Sequence, residues 1–560
     1  MMKPGLSKRP FWMILPLIFA LLPFSEGLHY QQATGTGTDF VTTTWAMWWF
    51  QQEWYNAAWG GFSNLFNFPR GGQGAILSPI NATFWAITDS IFGPNWASLY
   101  TSIFASLSSM IAVMWVGRGY RFSYLTCGCM ALAFSIPRYF FFTIGETGVV
   151  GIAIVPLILG WGCLIRYHET ANEQRTWGWF FVLCVMLQGW ENPYLAPFLP
   201  LISLFFIRDY QHLWKYVFGG CIALAGVAFL YHGASAGNYE SIKASSYTTF
   251  ANMYFPIIER PWAKISVGDF FRMKAVMWPV GSMDSIHMSG REGLGWSVLL
   301  FAILGVVVSR QSKNMRIALT LTIIGIVFAT GSTWFGTTSP FGLFNSICEK
   351  IVRPLTQPTR FLLLSIISLP VLVGCFVHAL EDKYKAETTQ WYRFGGVFVY
   401  VILLGESLYW GGFSMRIPTT PIPESSCVRE LSHKEGAVLV WPWDGIDDER
   451  KDATLKSRWL QIAHERPAAT IGTGSWPLVD TFFPGHHLRE LGWKDLTQGK
   501  GDLDIATLHQ QGFRWIVVDT KSPTMPTTRG KEFFVHGKQS ECDNYIIYDM
   551  SQVLSSMQQK

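Results

Sequence analysis

Long apolar runs alternate with short polar connectors from Phe11 to Trp410, and beyond Trp410 the pattern changes to short apolar runs between polar turns. Eleven apolar stretches are legible, near residues 11–27, 97–116, 123–142, 149–165, 177–191, 194–208, 215–231, 293–309, 316–332, 361–379 and 394–411. A helix needs about 20 apolar residues to cross a bilayer. The pattern therefore predicts an α-helical polytopic membrane protein with about 11 transmembrane helices. The weakest pair flanks Glu191-Asn192-Pro193. The first stretch, after Lys8-Arg9, also has the outline of a signal peptide, but Ser25-Glu26-Gly27 is a poor cleavage site, so a retained helix is expected.

The tail reads differently. Val438-Leu439-Val440, Phe513 to Asp519 and Asn544 to Tyr548 predict strands, and Asp448 to His464 and Asp504 to Gln511 predict helices. The expected division is a membrane domain over 1–411 with long outer loops 28–95, 232–292 and 331–360, a Pro-rich linker over 412–430, and a C-terminal extracytoplasmic α/β domain over 431–560. In the first loop Trp45, Trp48 and Trp49 have the spacing of a helix lying flat at the membrane–water boundary, where Trp is favoured.

Charge supplies orientation. Lys3, Lys8 and Arg9 precede the first stretch, and Arg118/Arg121, Arg166/Arg175, Arg208/Lys215, Arg310/Lys313/Arg316 and Lys383/Lys385/Arg393 occupy short connectors. Basic short loops stay in the cytoplasm. That implies a cytoplasmic N-terminus and an extracytoplasmic tail. Charged residues make up 14% of the 560-residue chain, well below the roughly 25% of a soluble domain. The net charge of +5 comes mostly from these connectors, so no nucleic-acid partner is expected.

The outer side carries the candidate chemistry. Asp39, in Gly35-Thr36-Gly37-Thr38-Asp39, is placed to act as general base toward an acceptor hydroxyl, or merely to cap the helix that follows. Glu146 could coordinate a divalent cation with Asp39 or orient a substrate, and could equally pair with Arg138. Arg138, after Pro137, is an ionisable group at membrane depth, and Glu406 raises the same question. Arg353 and Arg360 are basic residues on the outer side, where a guanidinium fork would suit a lipid phosphate or an ordinary anionic lipid. Arg70 sits in a turn that could line a donor site. Cys427 and Cys542 bracket the tail on the oxidising side, and a disulfide between them would close it. No Cys/His cluster has zinc spacing, and no cofactor is specified.

Thr38-Asp39 with Trp45 and Trp49, Phe68-Pro69-Arg70-Gly71-Gly72, and Pro358-Thr359-Arg360-Phe361 together give a recognisable layout. The tail adds Val438-Leu439-Val440-Trp441-Pro442, then Trp459-Leu460-Gln461 with His464-Glu465-Arg466-Pro467, and Gly512 to Val518. The chain resembles the GT-C superfamily of integral-membrane glycosyltransferases, and within it the YfhO-like bacterial polytopic proteins. The resemblance implies sugar transfer from a polyprenyl-phosphate-linked donor to a glycan, lipid or protein acceptor on the outer face. Asp39 matches the family's first-loop acid, which implies a base or metal-binding role, and Arg360 matches a recurring position. Taken with the reading of the residues, the expected site has Asp39 and Glu146 as catalytic groups and Arg70, Arg138, Arg353 and Arg360 as substrate-binding groups. It departs from better understood members in lacking a DxD or Asp-Glu pair in the outer loops, which puts metal dependence in doubt. The rival expectation is a non-enzymatic protein that handles a lipid-linked glycan or scaffolds an envelope complex.

Overall fold

The structure is a computed structural model. It describes residues 10–35, 38–59, 62–65, 72–73, 78–147, 154–169, 173–192, 195–207, 211–236, 293–309, 313–330, 339–343, 361–387, 390–422, 425–441, 451–468, 505–520 and 538–558. The chain divides into two compact units, one of Met1–Gly35, Ser98–Ala228 and Ala251–Thr419, the other of Thr36–Ala97, Phe229–Phe250 and Thr420–Lys560.

The first unit is a helical bundle, and each of the eleven apolar stretches contains a helix. Among the described residues, four helices are long and apolar enough to cross a membrane: Phe11–Tyr30, Pro94–Gly119, Leu362–Lys383 and Phe394–Ser414. The Tyr124–Ser135 and Arg138–Gly145 helices make a fifth span if taken as one, bent by 55° at Pro137, which has no N–H to continue the helical ladder. This is a multi-pass membrane protein. The Leu362–Glu387 helix lies at the middle of the bundle, against the Tyr124–Ser135, Trp296–Val308, Lys313–Ala329 and Gln390–Tyr409 helices.

Close approach there depends on small residues. A Cβ on Gly305 would meet the Leu372 carbonyl at 2.1 Å, and one on Gly325 would meet Ser365 Oγ at 2.3 Å. Hydroxyls stitch the same seam: Thr322 and Ser368 are 2.7 Å apart, and Ser365 donates to the Thr322 carbonyl at 2.9 Å. Outward apolar side chains such as Ile303, Phe398 and Val401 are more than half exposed, as expected of surfaces that face lipid. The Phe11–Phe19 helix is packed into the bundle, with the Trp12 carbonyl against Gly128 and accepting from the Tyr400 hydroxyl at 3.3 Å.

The second unit contains a four-stranded sheet of β1 (Ala437–Trp441), β2 (Phe513–Asp519), β3 (Lys538–Cys542) and β4 (Tyr545–Asp549), in the order β1-β2-β4-β3. The β1–β2 pair is parallel and the other two pairs are antiparallel. Val438, Val440, Trp515, Val517 and Ile547 form one face, which packs with Leu460, Val428 and Leu431. Cys427 and Cys542 are joined by a disulfide that ties the Ser426–Glu430 helix to the edge strand β3, with Cα atoms 6.1 Å apart. Residues 36–97, expected as a loop of the membrane domain, cluster with this tail instead.

One correction follows. The Thr38–Gln52 helix is not an interfacial helix with its indoles laid on a membrane, because Trp45, Trp48 and Trp49 are 0–1% exposed. They are packed among the Thr38–Gln52, Pro79–Phe92 and Lys451–His464 helices. Apolar residues run right round this helix, and such helices are buried rather than amphipathic.

Candidate functional site

Asp39 is the second residue of the Thr38–Gln52 helix, so its backbone stands at a positive helix end, where a carboxylate is favoured. Its side chain lies outside the described residues. What holds that helix is described in detail. Trp45 donates its indole N–H to Gln461 Oε1 at 2.9 Å. Phe40 meets Trp459 edge-on with ring centroids 5.9 Å apart, and Trp45 stacks on Trp49 at 6.2 Å. The Arg458 guanidinium lies 5.9 Å from the Trp45 ring centre.

Gln461 is fully buried and links three segments. Besides accepting from Trp45, its amide nitrogen donates to the carbonyls of Leu65 and Arg466. The Leu65 carbonyl also accepts from the Ala468 N–H at 3.0 Å. The Phe62–Ser63 and Gly72–Gln73 strands pair antiparallel, and Arg70 lies outside the described residues. Leu65, just after the first of these strands, is thus fixed to the Lys451–His464 helix and the residues just after it.

His464 ends this helix, fully buried. Its Nδ1 accepts from the Arg466 N–H at 3.1 Å, while Nε2 has no hydrogen-bond partner among the described residues. Burial, followed by the Arg466 charge, holds its pKa down to about 3, so it is neutral. Asp89, on the Pro79–Phe92 helix, is pushed up to about 6, first by burial; a hydrogen bond from Gln51 opposes this and the Glu465 carboxylate adds to it. The Asn81-Ala82-Thr83 glycosylation sequon is closed off, since Asn81 is 6% exposed and donates to Ser78 Oγ at 2.6 Å.

In the membrane unit, Arg138 is 4% exposed and donates from Nε to the Trp410 carbonyl at 2.6 Å and from a terminal nitrogen to Ser414 Oγ at 3.2 Å. Those contacts close the end of the Gln390–Tyr409 helix. Glu406 is also committed: it accepts from the backbone N–H groups of Trp296 and Ser297 at 2.6 and 2.7 Å and from the Ser297 hydroxyl, and so caps the Trp296–Val308 helix from outside. Gln188 bridges the Glu191-Asn192 break, accepting from the Leu157 N–H at 2.8 Å and donating to the Asn192 carbonyl at 3.3 Å. Glu146 belongs to the Arg138–Thr147 helix, with its side chain outside the described residues, and Arg353 and Arg360 lie outside them entirely. Among the described residues no group of His, Cys, Asp and Glu is arranged to hold a metal ion. Sequence reasoning passed over Gln461 and Asp89 and found no metal-ligand spacing for His464. Gln461 and His464 stand in the tail stretches quoted for the family resemblance, which was the available signal.

No family model matches the chain, and no curated protein matches it by sequence. Solved structures do. The arabinofuranosyltransferase AftD from Mycobacteria aligns over 96% of this chain with a TM-score of 0.51 and 13% identity, this chain spanning 39% of its length. ArnT from Cupriavidus metallidurans in the apo state aligns over 96% of this chain and 98% of its own, with a TM-score of 0.50 and 11% identity. The chain shares the fold of these two structures. At these identities the likeness is one of architecture. A second structure of the same ArnT, bound to undecaprenyl phosphate, aligns with a TM-score of 0.49.

Proposed function

We propose that this protein is a membrane glycosyltransferase that moves a sugar from a polyprenyl-phosphate donor to an envelope glycan, lipid or protein on the outer face of a bacterial inner membrane. The observation that carries this reading is the GT-C architecture over 96% of the chain, including nearly the full length of ArnT. The ArnT crystallised with undecaprenyl phosphate supports the donor class. The alternation of basic connectors supports an outside tail.

In the proposed reaction Asp39 takes the proton of an acceptor hydroxyl. The hydroxyl oxygen bonds to the anomeric carbon from the side opposite the phosphate. The bond from that carbon to the phosphate oxygen breaks, configuration inverts, and polyprenyl phosphate departs with the electron pair. Arg353 or Arg360 stabilises the charge that develops on the phosphate. Glu146 shapes the pocket. Asp39 stands at the start of a helix held by Gln461 and Arg458 at Trp45 and by Trp459 at Phe40, and a rigid support of this kind is what a general base requires.

The test is mass spectrometry of envelope glycans and polyprenyl-linked sugars in a deletion strain complemented by wild type or by Asp39→Asn. Loss of a sugar from a glycan, with accumulation of its lipid-linked donor, is expected in the deletion and in Asp39→Asn at matched protein level. Full rescue by Asp39→Asn would falsify the catalytic assignment.

A further inference from the structure

The tail carries a groove of about 470 Å³ that the transferase reading does not use, lined by Lys434, Glu435, Arg514, Trp515, Asp549 and Gln552. Its size falls within the roughly 300–1,000 Å³ of small-ligand sites. The floor is fixed. Trp515 is 3% exposed and donates its indole N–H to the Glu435 carbonyl at 2.8 Å. Two cations share that one indole: Lys434 Nζ lies 4.9 Å and Arg514 Cζ 5.3 Å from the ring centre.

Two carboxylates, Glu435 and Asp549, line the same groove, but among the described residues Glu435 forms no ion pair with either cation. Asp549 reaches Arg514 only at 3.7 Å, and its other oxygen accepts from the Ser551 N–H at 2.9 Å and the Ser551 hydroxyl at 2.7 Å. Among the described residues Lys434 is in no ion pair. Two positive groups held over one ring repel each other, and an anion between them would relieve the repulsion. The Arg514 side chain is set in place by backbone geometry. Gly436 adopts φ +101°, and a Cβ there would come within 2.5 Å of Arg514 Cβ. Glycine is therefore required both for the turn and for the arginine to lie across it.

We propose that this groove binds an anionic saccharide. Lys434 and Arg514 hold a carboxylate or phosphate borne by the sugar, and the exposed Glu435 and Gln552 take hydroxyls along the same wall. A purely anion-binding site would not place two carboxylates and an amide beside its two cations, whereas sugar hydroxyls need both donors and acceptors. The inference extends the transferase reading to the class of acceptor. Because binding is measured without turnover, its failure is separable from a failure of the Asp39 test.

The experiment is saturation-transfer NMR on the full-length protein in lipid nanodiscs, with glucuronic acid, glucose 6-phosphate and glucose as ligands and inorganic phosphate as competitor. One or both charged sugars should bind roughly tenfold more tightly than glucose, the worth of a charge-assisted contact. Binding by glucuronic acid alone identifies a carboxylate ligand; binding by glucose 6-phosphate alone identifies a phosphorylated one. Lys434→Gln and Arg514→Gln should each weaken binding, and the double variant should abolish it, without changing the thermal midpoint. Gly436→Ala should weaken binding with every charge retained. Equal binding of glucose, an unaffected double variant, or no binding by any ligand overturns the proposal. Competition by inorganic phosphate as strong as that by glucose 6-phosphate also overturns it, as it would reduce the site to an adventitious anion site.

Discussion

Gln461→Ala is the substitution that most directly tests how the Asp39 helix is held. The side chain is fully buried and makes hydrogen bonds to Trp45, Leu65 and Arg466. Truncation removes all of them. The Leu65 carbonyl keeps its bond from Ala468, but the Trp45 indole N–H is stranded in an apolar interior. Each lost bond costs about 1 kcal/mol and a stranded buried donor about 1–3 kcal/mol. The expected total is about 3–5 kcal/mol. Trp45→Phe should cost less, because it breaks one of the three bonds and leaves the two from the Gln461 amide nitrogen in place. The two substitutions share one contact and should be non-additive by about 0.5–3 kcal/mol. Hydrogen exchange on the purified protein reads this locally. Amides of Thr38–Gln52 and Lys451–His464 should lose protection together, and those of the Leu362–Glu387 helix should not change. If Gln461→Ala alters protection in neither helix, or only in its own, the reasoning that one amide joins them is wrong.

Acid should weaken the tail. His464 has its folded pKa depressed to about 3, below the usual 6.5. The unfolded chain therefore takes up a proton first, and the stability present above pH 6.5 is lost as pH falls. The loss is about 1 kcal/mol by pH 5.5 and about 3 kcal/mol by pH 4.5. Asp89 acts in the opposite direction, since a carboxyl raised to about 6 favours the fold at low pH, but its partial exposure makes that the smaller effect. Thermal melts of wild type and His464→Gln across pH 4.5–7.5 check the slope, which should flatten in the variant. In the membrane unit, Glu406→Ala should cost about 2–4 kcal/mol by stranding the N–H groups of Trp296 and Ser297, and Glu406→Gln should recover about half, read as thermal midpoints in one detergent.

The apolar runs of the bundle were legible because a crossing helix has little freedom in composition. The central strands were legible for a related reason: Phe513–Asp519 is apolar and β-branched, and it forms a strand over that span. Lys538–Cys542 was not, because Lys-Gln-Ser-Glu-Cys is a polar edge strand, recruited by its pairing with β4 and its disulfide rather than by propensity. The Trp-rich helix was misplaced for a physical reason. Indoles at helical spacing look alike whether they face headgroups or a protein core, and the deciding feature was that Phe40, Val41, Ala46, Met47 and Phe50 fill the remaining sides. Single charges were legible as chemistry but not as partners. Arg138 and Glu406 stand out in apolar sequence, yet each meets backbone groups supplied by residues more than a hundred positions away.

That distance has a consequence for separating an enzyme from a scaffold. Residues 36–97 and the tail fall in one compact unit, where Trp45 is seated against Gln461 and Arg458, and Phe40 against Trp459. Deleting the tail would remove these partners and with them the support of the helix bearing Asp39. A truncated chain would therefore lose function under either reading. Only a change confined to a reacting group, made in a unit left fully folded, distinguishes chemistry from support. Under the proposed reaction Asp39→Asn comes nearest to such a change, since it keeps size and removes the proton acceptor at the cost only of the charge favoured at the helix start.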